Sequence, residues 1–514
     1  MKRFHVIIAS GTGALFFILF IIYLTFSHLN SQIANTALSL IELFAVVGIV
    51  GAIGILAGLR QPNTTYGQAH FATPQEIQHS GFVAEQDSLI VGESKRLMVG
   101  VPPRGQLEHV LLVATTGAGK STGIIIPGLL SETGRRGIFV NDMKGELYQK
   151  TAGALSRHLP VSLFSPTRPQ ASTHYNPLAH IHSQEDAEDL AACWTANTGV
   201  SREEYYNQVA QLLLTAAVLH LVDTEPDAPF SRLADLLSGT TFDQIQSILT
   251  NSKSKRARDI ASAFLSSAGQ DAKLAGGIMS GMATRFLLMK NPTLRKLTST
   301  HLDTQHNISF PRLSQKPEVL FLSIPASDTR RLRPLTSLLV MQMMNDLTKQ
   351  SEAKPFVLYM DELANIGKIP HYAEHISLVR GQGIALIQAI QSFSQLSAVY
   401  DPQDAQTILA NSTTKIFYPG MGKPECEYAS QLLGTTTVTV KSKSISPERS
   451  ETSHETVTKR PLMNLEDIRQ LKRGDLIVVS GNLPPMLVYN TPYYQQSALV
   501  ELVDLPLQQL PASP

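Results

Sequence analysis

A chain of 514 residues exceeds one ordinary domain, and its 43 Lys and Arg against 42 Asp and Glu leave almost no net charge. This balance excludes a global basic field, so any contact with nucleic acid must be local or built by oligomerisation. The two cysteines, Cys193 and Cys426, stand far apart and match no metal-ligand spacing, which fits a body in a reducing compartment without disulfides or zinc.

The N-terminus predicts a two-helix transmembrane hairpin over residues 1–62. Apolar runs at about 6–26 and 43–59 are separated by a short, mostly polar stretch. The first run is too long for the apolar core of a signal peptide, and a second run follows it. Basic residues flank the hairpin on its outside, so the positive-inside rule predicts that both termini and the body lie in the cytoplasm.

The next clear feature is a strand followed by a glycine-rich turn. Val110–Val113 is typical of a short buried strand, and an apolar run at 124–130 suits a helix packed on a sheet. A strand, a glycine turn and a helix N-terminus form a phosphate cradle, because backbone N–H groups point inward and the helix dipole favours an anion. The predicted nucleotide-binding residues are Thr115, Thr116, Gly117, Ala118, Gly119, Lys120, Ser121 and Thr122.

Three positions of this turn define its chemistry. Lys120 adds a positive charge for the phosphates, and Ser121 stands where its hydroxyl reaches Mg²⁺. Ala114 occupies the first glycine position of G-x-x-x-x-G-K-[ST], which alanine can fill only with a negative φ. A turn that merely connects strand and helix is the alternative, and the presence of both Lys and Ser favours nucleotide binding. The motif alone names no reaction.

Beyond this turn the chain alternates strand-like and helical segments, which predicts an α/β fold. Residues 183–306 contain long helical runs and no convincing strand, so they are predicted to be an all-α insertion between the two parts of a nucleotide-binding domain, 63–182 and 307–500. Residues 435–459 are rich in Ser, Thr, Lys and Glu and predict a mobile loop or a long hairpin. Residues 501–514 are predicted to be a disordered tail.

Polar residues follow two of the later strands. Asp361 is predicted to hold Mg²⁺ and Glu362 to polarise the attacking water, as the partners of a phosphate loop do. The alternative is that Asp361 caps the short helix after it. Gln391 is predicted to meet the γ-phosphate or its water, or else to be an ordinary strand-end amide. Arg380 is a candidate for an arginine supplied to a neighbouring subunit, with a surface ion pair as the alternative.

Taken together, these motifs resemble the type IV secretion coupling proteins, the TraG/TraD-like conjugative DNA-transfer ATPases. The resemblance runs from about residue 1 to 500 and depends on the order and spacing of the motifs. Besides the two apolar N-terminal runs, the matching segments are Tyr66-Gly67-Gln68-Ala69-His70-Phe71-Ala72, Thr116-Gly117-Ala118-Gly119-Lys120-Ser121, Asp142-Met143-Lys144-Gly145-Glu146-Leu147, Tyr175-Asn176-Pro177-Leu178, Asp361-Glu362-Leu363-Ala364-Asn365-Ile366-Gly367, Gln391-Ser392 and Arg460-Pro461-Leu462.

The resemblance implies a RecA-like P-loop motor, anchored in the bacterial inner membrane, that assembles as a homo-hexamer and carries an inserted all-α domain. It implies ATP and Mg²⁺ as cofactors. Such proteins deliver relaxase–single-stranded DNA complexes, or effector proteins, to the components of a type IV secretion channel. Arg380 lies where such motors place their trans-acting arginine. The chain lacks the long acidic C-terminal extension with which some members dock cargo.

Two other functions compete with this one. An ATP-gated cargo receptor for protein effectors would use the nucleotide to govern assembly and would not itself pump DNA. A septal DNA pump of the FtsK-like kind is expected to carry a long linker and a terminal DNA-reading domain, and the chain contains neither.

Overall fold

The structure, a computed structural model, describes residues 21, 39, 46, 65–102, 108–199, 203–269, 271–349, 355–445 and 451–508. The chain divides into two compact units, one of Met1–Gln68 with Thr435–Arg460 and the other of Ala69–Gly434 with Pro461–Pro514. Apart from residues 21 and 46, the two predicted membrane spans lie outside the described residues. Within the described residues, none of the helices is both long enough and apolar enough to cross a bilayer.

The strands of the described residues follow the predicted runs closely. In chain order they are β1 (Leu89–Ser94), β2 (Leu97–Val101), β3 (Val110–Val113), β4 (Gly137–Asp142), β5 (Val161–Phe164), β6 (Val319–Ser323), β7 (Phe356–Met360), β8 (Ile384–Ile390), β9 (Thr414–Phe417), β10 (Thr435–Ile445), β11 (Glu451–Pro461), β12 (Asp475–Ser480) and β13 (Met486–Tyr489).

The larger unit is built on one sheet, which in the described residues has the order β2-β1-β13-β12-β9-β3-β8-β7-β4-β6-β5. The strands from β9 to β5 are parallel, whereas β12, β13, β1 and β2 pair antiparallel with their neighbours. Central parallel strands are covered on both faces, which is why they appear in the sequence as continuous apolar runs. The predicted α/β class, with a large parallel sheet, is confirmed.

The helices of the described residues connect these strands. In chain order they are α1 (Pro74–Ser80), α2 (Ile126–Leu130), α3 (Glu146–Leu155), α4 (Gln184–Thr198), α5 (Glu204–Thr224), α6 (Phe230–Ser238), α7 (Phe242–Thr250), α8 (Lys255–Ala268), α9 (Ala272–Arg285), α10 (Pro292–Leu297), α11 (Phe310–Gln315), α12 (Thr329–Lys349), α13 (Leu363–Ile366), α14 (Tyr372–Val379), α15 (Phe393–Val399), α16 (Pro402–Asn411), α17 (Lys423–Leu433), α18 (Leu465–Arg469) and α19 (Ser497–Val500).

The sheet separates two hydrophobic cores. Alternate residues of β3 belong to different cores, Leu111 and Val113 to the first and Val110 and Leu112 to the second, because successive side chains of a strand point to opposite faces. All four are buried. The strand that precedes the glycine-rich turn is therefore fixed from both sides.

Between β5 and β6 the described residues form the helices α4 to α11 and no strand. Trp194 of α4 stacks on Phe286 with 5.1 Å between the ring centroids, and Phe230 of α6 meets the same indole edge-on at 5.0 Å. These aromatic side chains belong to the buried cluster that also contains Leu111 of β3. The helices of the predicted insertion, 183–306, thus share a core with one face of the sheet.

The described residues of 435–459 form the two strands of a long hairpin, which was one of the two alternatives. Strands β10 and β11 pair in a two-stranded sheet of the smaller unit. Residues 65–68 lie along β10, where the Tyr66 N–H donates to the Thr437 hydroxyl at 3.0 Å and Gln68 bridges to Thr436.

The end of the chain differs from the prediction of disorder from residue 501 onward. Lys150 of α3 pairs with Asp504 at 2.8 Å, and the Gln508 N–H donates to the Ser156 hydroxyl at 2.8 Å. Leu502, Val503 and Leu505 pack against the second core. Residues 501–508 are therefore ordered, because this short segment has its own apolar side chains to bury.

Candidate nucleotide-binding site

The predicted site residues follow neighbouring parallel strands. Val113 of β3 is level with Ile390 of β8, and Met360 of β7 is level with Gln388 of β8. Ligands of open α/β sheets bind outside the carboxyl ends of the strands. The glycine-rich turn after β3, the acidic pair after β7 and the amide after β8 meet at this edge.

The backbone of the turn explains both its glycines and its departure from the full pattern. Gly117 has a φ of 78° and Gly119 a φ of 96°, in the left-handed region that favours glycine. Ala114 is not among the residues with positive φ, as expected, and its N–H donates to the carbonyl of Ile390 at 3.1 Å. The chain then enters a π-helical turn, Ser121–Ile125, that runs directly into α2. Positive φ thus explains glycine at positions 117 and 119, whereas position 114, the first glycine position of the pattern, has a backbone that alanine can adopt.

Ser121 and Asp361 form the oxygen-rich side of the site. The Ser121 hydroxyl donates to Oδ1 of Asp361 at 3.1 Å. Burial raises the pKa of the Asp361 carboxyl, and Lys120 and the Ser121 hydrogen bond partly oppose this increase. The residue before α13 is Glu362, which makes no side-chain capping bond, so the capping alternative for Asp361 finds no support in these contacts.

A chain of contacts connects the three loops at this edge. The Thr116 hydroxyl donates to Oε1 of Gln391 at 3.0 Å, and Nε2 of Gln391 donates to Oε2 of Glu362 at 2.6 Å. Nζ of Lys120 lies 3.6 Å from the same carboxylate oxygen. Gln391 is thus more than a strand-end amide, because it links the turn to the second carboxylate.

One of the two carboxylate oxygens of Glu362 takes no part in these contacts. Its Oε1 is buried and has no hydrogen-bond partner among the described residues. Burial raises the pKa of this carboxyl, while Lys120 and Gln391 lower it. A buried acceptor without a donor is costly. The position fits a water or a substrate hydroxyl that donates to this oxygen.

The donor set of this edge fits a magnesium–nucleotide complex. Lys120 and the backbone N–H groups of the turn would meet the phosphates. The hydroxyl of Ser121 and the carboxylate of Asp361 are the oxygen ligands that Mg²⁺ prefers. These two groups already lie within hydrogen-bond distance of each other.

Two further polar residues at this edge escaped the sequence analysis. Nδ2 of Asn141, near the end of β4, and the hydroxyl of Tyr418, directly after β9, are buried without a partner in the described part of the chain. Burial and the nearby Asp361 raise the pKa of the Tyr418 phenol. The available signal was their position, because each is a polar residue at the carboxyl end of a parallel strand.

Arg380 lies at the opposite edge of the sheet. It follows α14, and its guanidinium donates to the Thr413 hydroxyl at 3.2 Å and lies 3.5 Å from a carboxylate oxygen of Glu108. Glu108 and Thr413 precede β3 and β9, so this is the amino edge. The structure does not bring Arg380 to the nucleotide site of its own subunit. Its contacts match the surface ion pair, and its role toward a neighbour stays a prediction.

Comparisons with known proteins identify relatives of this chain in sequence and in fold. The curated relatives include VirD4 of Agrobacterium fabrum, which is 26% identical over 87% of this chain and 68% of its own length. They also include the conjugal transfer protein TraG of Escherichia coli, which is 24% identical over 85% of this chain and 78% of its own length.

Solved structures of the bacterial conjugative coupling protein TrwB share the fold. The unbound form matches 84% of this chain and 96% of its own, with a TM-score of 0.64 and 18% identity. The complex of TrwB with ADP and Mg²⁺ matches 88% and 97%, with a TM-score of 0.62 and 18% identity. The model of the family described as type IV secretory system conjugative DNA transfer matches residues 70–512, and the chain therefore belongs to that family.

Proposed function

We propose that this chain is an ATPase that couples ATP hydrolysis to the recruitment and movement of relaxase–single-stranded DNA complexes, or of proteins, into a type IV secretion channel. The observation that carries the proposal is the contact chain Thr116–Gln391–Glu362–Lys120, because it connects a phosphate loop to a carboxylate with a free oxygen. Membership of the conjugative DNA transfer family supports the substrate class.

Each residue of the site has a distinct task in this proposal. Lys120 and the turn would bind the phosphates, and Ser121 with Asp361 would hold Mg²⁺, which would neutralise phosphate charge. Oε1 of Glu362 accepts a hydrogen bond from the attacking water. Gln391 fixes the orientation of Glu362 and connects it to Thr116, so a change at the phosphate loop reaches the carboxylate.

The test is ATP hydrolysis by the full chain in detergent, with and without single-stranded DNA. We expect DNA to stimulate hydrolysis, and Glu362→Gln to abolish hydrolysis while ATP stays bound. Glu374→Gln, which removes an exposed carboxylate on α14, is the matched control. Nucleic acid and proteins that copurify with ATP-bound Glu362→Gln identify the cargo. Nucleotide-dependent assembly of the parent without turnover would contradict the proposal and favour the ATP-gated cargo receptor.

We also infer that residues 1–62 anchor the chain in the inner membrane with the ATPase on the cytoplasmic side. Asn30→Cys is then labelled by an impermeant thiol reagent from the periplasm, and Gln68→Cys is not. The native Cys193 and Cys426 are both buried, so the unsubstituted chain gives the background. Labelling of position 68 from outside would contradict this orientation.

A further inference from the structure

A pocket of the larger unit, of about 300 Å³, lies where the helical region meets the start of α12. None of the residues that line it, all of them within the described part of the chain, is acidic. The lining residues used below are Asn197, Thr198, Arg285, Leu287, Arg330 and Arg331.

The buried arginine of this pocket is surrounded by neutral acceptors. Arg285 is only 4% exposed. Its guanidinium donates to the Thr195 carbonyl at 3.0 Å, to the Thr198 hydroxyl at 2.6 Å and to Oδ1 of Asn207 at 2.6 Å. Burial lowers its pKa to about 10. A buried cation is costly unless an anion compensates it, and among the described residues no carboxylate contacts this one.

Further positive charge stands at the rim. Arg330, Arg331 and Arg333 lie in the first turns of α12, where the helix dipole disfavours cations. Arg331 pairs with Asp328 at 2.8 Å, whereas Arg330 has no ion-pair partner within the described residues. Nε of Arg333 is buried and has no hydrogen-bond acceptor among the described residues. Of the three arginines that line the pocket, only Arg331 pairs with a carboxylate in the described part of the chain, and this surplus of positive charge indicates a site for an anion.

The rest of the lining narrows the choice of anion. Leu287 is 65% exposed at the pocket, and Asn197 adds an amide. Because no lining residue is acidic, the pocket lacks the carboxylate that would hold a magnesium–nucleotide as at Asp361. Guanidinium groups pair with the phosphates of a nucleic acid strand, and an exposed apolar side chain beside them gives the sugars or bases of that strand a surface to contact.

We propose that this pocket binds backbone phosphates of single-stranded nucleic acid, with Arg330 and Arg331 at its rim and Arg285 at its floor. The inference rests on the proposed function, because it assigns part of the DNA contact to named residues. It places that contact at the carboxyl end of β6, on the same edge of the sheet as the nucleotide site.

The test uses the full chain in detergent and a fluorescein-labelled oligo(dT), with anisotropy titrations at several salt concentrations. We expect Arg330→Gln and Arg331→Gln each to weaken binding roughly tenfold and to reduce the slope of log affinity against log salt by about 0.7. Arg232→Gln is the matched control, because Arg232 is an arginine of the same helical region that pairs with Glu225. Affinity for a fluorescent ATP analogue reports the nucleotide site and is expected to stay constant in all variants.

Three results would overturn the inference. Unchanged affinity and salt slope in the Arg330→Gln, Arg331→Gln double variant, with a parent that binds DNA, would exclude the pocket and leave the proposed function intact. If these variants lost affinity for the ATP analogue and still bound DNA, the pocket would be assigned to a nucleotide and not to DNA. A parent that binds no DNA would remove both the pocket assignment and the proposed DNA function.

Discussion

Two ion pairs of nearly equal length stand at opposite ends of the same parallel strands. Lys120 and Glu362 lie 3.6 Å apart at the carboxyl edge, with side chains 12% and 6% exposed. Arg380 and Glu108 lie 3.5 Å apart at the amino edge, with side chains 42% and 30% exposed. Water screens the second pair far more strongly, since Coulomb energy scales inversely with the effective dielectric constant.

The difference teaches that burial, more than distance, marks the functional edge of this sheet. At the amino edge the groups satisfy one another, and Glu108 also accepts from Thr414 and Ser480. At the carboxyl edge Glu362 keeps an oxygen without a donor. A buried charge that is incompletely paired is tolerated where a ligand completes it.

The largest effect that we expect comes from Lys120→Ala. The change removes the cation of the buried pair and of the phosphate cradle, so ATP turnover falls by roughly a thousandfold or more. The fold is expected to survive the change, because burial already raises the pKa of the Glu362 carboxyl, and the loss of Lys120 raises it further, so that this carboxyl can take up a proton. Phosphate release and a melting curve measure the two effects. Lys150→Ala is the control, because it removes a lysine of α3 that pairs with Asp504. Turnover near the parental rate would refute the assignment of this loop.

Arg380→Ala tests whether the exposed ion pair at the amino edge also has a function. If a neighbouring subunit uses this arginine, ATP binding persists while turnover drops by about a thousandfold, as for arginines supplied in trans. A mixture with Lys120→Ala subunits then regains activity, because some interfaces join an intact cradle to an intact Arg380. Mixed rings, verified by two affinity tags, that stay as inactive as the separate variants would leave Arg380 as a surface ion pair only.

Gln391→Ala tests whether Gln391 acts through the buried carboxylate of Glu362 at the carboxyl edge. It removes the donor to Glu362 and leaves the Thr116 hydroxyl without its acceptor, so turnover is expected to fall about ten- to a hundredfold with little change in the KM for ATP. The Gln391 hydrogen bond lowers the pKa of Glu362, and its loss raises that pKa. The acid limb of the pH–rate profile therefore moves to higher pH. An unshifted limb would show that Gln391 does not act through Glu362. Gln406→Ala, which removes an exposed amide on α16, is the control.

The smallest effect is expected from Glu108→Gln. A half-exposed ion pair contributes little, so the free energy of unfolding changes by less than about 1 kcal/mol and ATP turnover is retained. Thermal melting and phosphate release check both statements. A loss of turnover comparable to that of Gln391→Ala would mean that the amino edge also takes part in the reaction.

Much of the fold and part of the site could be predicted from local pattern. The apolar runs became strands because burial on both faces requires continuous apolar sequence. The glycine-rich turn and the acidic pair were also predictable, because each is a short motif that directly follows such a strand. The helical character of 183–306 followed from periodicity within single segments.

What escaped prediction depends on contacts between distant parts of the chain. Thr116 and Gln391 are adjacent only because β3 and β8 pair. Arg285 carries no local signal, because an arginine near the end of α9 is ordinary until its burial is known. The antiparallel position of β12 and β13 likewise follows from pairing that no single segment encodes.

The position of β3 also has a consequence for synthesis of the chain. Its two neighbours in the sheet are β8 and β9, and β8 begins about 270 residues after β3 ends. At a typical translation rate the ribosome needs roughly 15–55 s for that interval, during which four apolar residues have no strand to pair with. The strand that carries the phosphate loop is therefore among the last of the sheet to be completed. Pairing of such high sequence separation folds slowly, and the nascent chain is exposed to aggregation until β9 has emerged.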